Sequence, residues 1–143
     1  MTRLPNWQSA LANFERLHRE DRFAYGSWDC CLFVCDVILC MTGVDPAADF
    51  RGRYATRAEA LARIRNATGT ISVRKIAEHV TARLGMPRAE SRLLQRGDLA
   101  LIRRGKRDHS LGIVALSGLD VMVVSPKGLM RIPMSMAVSG WRI

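Results

Sequence analysis

Apolar positions change period along the chain. Trp7, Leu11, Phe14 and Leu17 fall three or four apart between Asn6 and Arg19, after Pro5, and predict an amphipathic helix with Asn6 as its cap. Leu32, Phe33, Val34, Val37, Ile38 and Leu39 leave almost no polar face, which predicts a buried helix from Cys30 to Met41, ended by Gly43. Asp29 suits its N-cap, because a carboxylate there can accept from the free N–H groups of the first turn. Thr56-Arg57-Ala58-Glu59 has the capping-box pattern and opens a third helix carrying Ala60, Leu61 and Ile64, broken at Asn66 to Gly69. Ser72 opens a fourth, with Ile76, Val80 and Leu84 inward and Gly85 at its end. The last third changes to short apolar runs at Leu99 to Ile102, Leu111 to Leu116, Val121 to Val124 and Leu129 to Ile132. Glycine, serine, proline and basic turns separate them, and they read as an antiparallel meander. Helices first and strands after imply one α+β domain over residues 1–143, with the cysteine-bearing helix packed on a C-terminal antiparallel sheet.

Composition narrows the picture. A chain of 143 residues is enough for one domain with a real core. No apolar run reaches the roughly 20 residues of a membrane helix, so no membrane span is expected. Met1 to Pro5 lacks the apolar core of a signal peptide, so the expectation is synthesis in a bacterial host cytoplasm. The net charge of +9 is carried mostly by arginine and suits an anionic partner. Only Arg103-Arg104-Gly105-Lys106-Arg107 forms a run. It lacks interleaved aromatic residues, so it reads as a solvated hairpin turn rather than a nucleic-acid platform.

Four cysteines, at 30, 31, 35 and 40, lie within eleven residues, and no other cysteine exists to bridge to them. This is not a disulfide framework. Cys31 and Cys35 share a helix face but Cys40 lies off it, and the spacing matches no usual zinc or cluster pattern; neither metal nor cofactor is expected. Each thiol by itself is a small hydrophobe suited to the core. Cys30 differs, because the cap before it sets its sulfur at a helix N-terminus. The dipole and free N–H groups there favour a thiolate, the nucleophilic form, and the same N–H groups can hold an oxyanion during acyl transfer.

Asp29-Cys30-Cys31-Leu32-Phe33-Val34 after Tyr25-Gly26 resembles the nucleophile motif of NlpC-type, papain-like cysteine peptidases, which cut peptidoglycan stem peptides. Gly97-Asp98-Leu99-Ala100-Leu101-Ile102 and Leu111-Gly112-Ile113-Val114 resemble two strands of that family. More of the chain is similar to a phage-encoded branch found near tail-tip genes. That likeness runs through Trp28 to Cys31, Thr42-Gly43-Val44-Asp45-Pro46, Arg51-Gly52-Arg53-Tyr54, Arg96-Gly97-Asp98 and Trp141-Arg142-Ile143.

The resemblance implies Cys30 as nucleophile and an imidazole two residues before Gly112. That position is Ser110, and His109 stands one residue earlier. In a regular strand His109 is expected to point away from Cys30; a bulge over Asp108 to Ser110 would return it. Ser125 is the remaining candidate to orient the imidazole. Tyr25 occupies the aromatic slot beside Gly26, while Phe23 aligns with the tyrosine usual upstream. His18 reads as a cation at the end of the first helix, and His79 as structural.

Three functions follow. The first is a tail-tip, baseplate or tail-assembly component of a phage or phage-like particle, a degenerate peptidase fold located in the virion tail and partnered by tail-tip or hub proteins. The second is an active peptidoglycan endopeptidase using Cys30 and a displaced His109. The third, nucleic-acid binding, rests on charge alone.

Overall fold

The computed structural model describes residues 1–143. Four helices come first: α1 (Trp7–His18), α2 (Cys30–Thr42), α3 (Arg57–Thr68) and α4 (Val73–Arg83). Six strands follow: β1 (Arg88–Glu90), β2 (Leu99–Arg103), β3 (His109–Val114), β4 (Asp120–Ser125), β5 (Gly128–Pro133) and β6 (Ala137–Trp141). They form one antiparallel sheet in the order β1-β6-β2-β3-β4-β5. The fold is α+β. The meander covers β2 to β5 only, because β6 returns across the sheet to lie between β2 and β1. Neither β1 nor β6 shows in the apolar pattern: in β1 only Ala89 is buried, and β6 is Ala-Val-Ser-Gly-Trp.

Strands β2 to β4 are apolar nearly throughout because both faces of the sheet are covered. Leu99, Leu101, Leu111, Ile113, Met122 and Val124 join Phe33, Val34 and Val37 of α2 in the main core. The alternating residues Ala100, Ile102, Val114, Val121 and Val123 build a smaller core on the other face with Ala137 of β6. Gly112 sits there with no room for a Cβ, which would meet the Met122 carbonyl and the Val121 side chain.

Helix α2 is held at both ends as expected, with Asp29 accepting at the start and Gly43 at φ 78° donating to the Leu39 carbonyl. Three local expectations are corrected. Asn6 makes no side-chain cap. Helix α3 runs through Asn66 to Thr68, since Gly69 is the first left-handed residue. In α1 the inward face is turned by one position: Leu17 is 66% exposed, and His18 packs inward instead. The His18 ring lies 4.4 Å from Phe14 and 4.8 Å from Trp28, with Nδ1 2.6 Å from Asp21 Oδ2. A flat ring stacks between aromatics where a branched side chain would not.

Candidate functional site

The start of α2 is assembled from two stretches far apart in sequence. Asp29 is 4% exposed and fully engaged. Its Oδ1 accepts from the N–H groups of Cys31 (3.1 Å) and Leu32 (2.9 Å); its Oδ2 accepts from the Gly26 N–H (3.0 Å) and the Tyr54 hydroxyl (2.5 Å). Gly26 adopts φ 81°, and a Cβ there would run into the Tyr54 carbonyl, so only glycine lets the two loops meet. Burial and the neighbouring carboxylate push the Tyr54 phenol well above its ordinary range, which keeps it a donor. A second clasp lies about two turns along: Arg51 pairs with Asp36 (2.5 Å) of α2 and with Asp45 (2.7 Å).

This cap changes what the helix end can offer. Asp29 takes the Cys31 and Leu32 N–H groups that the sequence made available to an oxyanion. The Cys30 N–H donates to no protein acceptor and remains the free donor beside the thiol.

The Cys30 thiol is held below its ordinary pKa chiefly by the Cys31 S–H beside it, opposed by burial and by Asp29. The Leu111 N–H and the Ser110 hydroxyl add to the lowering. Cys31, the donor in that pair, is pushed well up. Burial raises Cys35 to about 12, against the pull of Arg51.

Cys30 shares its cavity with His109, Ser110 and Leu111 of β3. β3 pairs with β4 only at Ile113 and Val114, leaving Ser110 and Leu111 unpaired on that side. On the other side β3 pairs with β2 in unbroken register down to His109, and the sheet's one register shift lies between Leu101 and Ile102. There is no bulge at Asp108 to Ser110. The expected orientation of His109 is nonetheless corrected. It alternates with Leu111 and Ile113, which face the helices, and it is half-buried on the wall of the cavity that holds Cys30. Its ring makes no hydrogen bond with Cys30 or any other group. Ser110, buried on the other side of the strand, lines the same cavity.

Ser125 is placed elsewhere: its Oγ donates to the Gly128 carbonyl (2.7 Å) and accepts from the Lys127 N–H (3.1 Å) within the β4–β5 turn. Tyr25 lines the cavity, 37% exposed, edge-on to Phe23 at 4.8 Å. His79 is exposed on α4.

The cavity encloses about 700 Å³ between α2, α3, α4 and the β3 edge. Cys30, Cys31 and Cys35 line it along α2, and most of its wall is apolar. No group of three or more His, Cys, Asp or Glu side chains could hold a metal ion. Arg104 and Arg107 of the basic run also face the cavity from the β2–β3 turn, so that turn is both solvated and part of the mouth. Two residues of the site were not visible as such in the sequence. Tyr54 carries its signal only in the Arg-Gly-Arg-Tyr stretch, and Ser110 only as the occupant of the slot where the resemblance expects histidine.

Residues 2–143 match the family described as Domain of unknown function (DUF6950), and the chain belongs to that family. No curated protein matches the chain. No helix is long and apolar enough to cross a membrane.

Proposed function

We propose that this protein is a tail-tip or tail-assembly component of a phage or phage-like particle, built on a papain-like fold of NlpC type whose peptidase chemistry is lost or altered. The carrying observation is that no imidazole is bonded to Cys30: Ser110 stands where the resemblance places one, and His109 shares the cavity without a hydrogen bond to the thiol. Amide cleavage needs a group that takes the thiol proton and returns it to the leaving amine. A serine hydroxyl donates a hydrogen bond to a thiolate but cannot relay that proton near neutral pH. The ordered set of motifs, from Trp28-Asp29-Cys30-Cys31 to Trp141-Arg142-Ile143, supports the tail-tip assignment, and the packing of a capped cysteine helix on an antiparallel sheet supports the NlpC-type fold. The net charge of +9 suits docking onto acidic faces of neighbouring tail proteins. Immunoblotting purified particles tests this reading: the protein should be in the virion tail, and its absence from particles sinks the assignment.

The second reading, an active peptidoglycan endopeptidase, is favoured by one observation: His109 shares the cavity with Cys30. Muropeptide release that disappears in both Cys30→Ala and His109→Ala would establish it; release unchanged by Cys30→Ala would exclude it.

A further inference from the structure

The cavity is polarised along α2. Arg104 and Arg107 of the β2–β3 turn, which leads into His109, and Arg57 and Arg63 of α3 line the cavity with Cys30. None of these arginines forms an ion pair, whereas seven others in the protein do. Asp108 is the one carboxylate beside them without a partner, so the mouth keeps an excess of positive charge. Away from Cys30 the wall becomes apolar, through Val34 and Ile38 of α2 to Ile76 and Val80 of α4. Eight residues of helix separate Cys30 from Ile38, which is about 12 Å. The volume falls within the range of about 300–1,000 Å³ typical of small-molecule sites. A ligand that matches this layout has an apolar chain, a reactive centre at its head and an anionic group beyond.

We propose that Cys30 accepts a fatty acyl group from a thioester donor bearing an anionic, phosphorylated head, the chain lying along α2 and the head group on Arg104 and Arg107. The chemistry fits a thiol to which no imidazole is bonded, since His109 lines the cavity without a hydrogen bond to Cys30. The Cys30 thiol gives its proton to water and the resulting thiolate attacks the thioester carbonyl; a new carbon–sulfur bond forms and the donor's breaks. The donor leaves as a thiolate and takes a proton from water, with no change of oxidation state. Nucleophile and leaving group are both sulfur, so no base has to rescue a poor leaving group, as amide cleavage requires. The free Cys30 N–H stands ready for the developing oxyanion. With no base bonded to Cys30 and an apolar wall around the chain, the acyl group stays on Cys30. This inference goes beyond the tail-component reading and does not require it.

The test is to incubate the purified protein with dodecanoyl-coenzyme A and follow its intact mass. One hydroxylamine-labile acyl group should appear per chain, mapped to Cys30 by peptide mass spectrometry and absent in Cys30→Ser. The rate should exceed that with acetyl-coenzyme A, by up to about fourfold per buried methylene. Arg104→Ala with Arg107→Ala, both on an exposed turn, should slow transfer roughly tenfold from the phosphorylated donor, but not from an uncharged dodecanoyl thioester of N-acetylcysteamine. Val80→Trp, which narrows the apolar end, should slow dodecanoyl and spare acetyl transfer. No adduct, an adduct that persists in Cys30→Ser, equal rates for acetyl and dodecanoyl donors, or equal labelling of the urea-unfolded chain would each overturn the proposal.

Discussion

The Tyr54 hydroxyl donates to the Asp29 carboxylate at 2.5 Å, across 25 residues of sequence. This bond joins the Arg51-Gly52-Arg53-Tyr54 stretch to the first turn of the cysteine helix. It completes the set of four donors on Asp29 and so fixes the direction in which Cys30 enters the cavity.

Tyr54→Phe keeps the ring but removes one donor from a buried carboxylate. The expected loss is about 1–3 kcal/mol of folding stability, read from urea unfolding. An unchanged midpoint would mean that the bond adds nothing beyond packing.

Gly26→Ala should cost more than Tyr54→Phe. It adds a Cβ at φ 81° that meets the Tyr54 carbonyl, so strain and loop separation act together. In the double variant the losses should fall short of additive, because separating the loops already breaks the Tyr54 bond.

Cys30 should alkylate with a pH midpoint below the roughly 8.5 of a free thiol. The measurement uses a chain with Cys35 and Cys40 changed to alanine and Cys31 retained. Ser110→Ala and Cys31→Ala should each move the midpoint up, since both groups favour the thiolate. His109→Ala should leave it in place. A midpoint that rises in His109→Ala would instead put an imidazole at the sulfur and move the endopeptidase reading to first place.

Cys35 makes the protein sensitive to alkali. Burial raises its thiol from 9.0 to about 12, so the unfolded chain gives up the proton first. The stabilising contribution is whole below pH 9.0 and is lost as pH rises towards about 12, at about 1.4 kcal/mol per pH unit. Cys35→Ala should flatten that decline in urea-unfolding series above pH 9.0. Cys31, also pushed up, keeps part of the slope. Parallel declines in both proteins would show that Cys35 does not titrate with unfolding.

The sequence by itself determined the parts whose causes are local. The four helices follow from periodicity and from caps at Asp29, Thr56 and Ser72, each acting within three residues. Four strands follow from short apolar runs, three of them covered on both faces. The thiol at a helix start follows from Asp29 preceding Cys30.

Tertiary structure decided the rest, because it depends on pairing between distant segments. β1 and β6 are held by each other and by β2; β1 buries only Ala89, and β6 buries mostly small residues that form no apolar run. His18 rather than Leu17 turns inward because Trp28 offers it a stacking partner. Alternation along β3 was legible, but not that β4 pairs with it only at Ile113 and Val114, or that His109 and Ser110 both line the cavity of Cys30. A residue's parity in a strand says which face it takes; only the neighbouring strands settle whether the site lies over that face or at the edge.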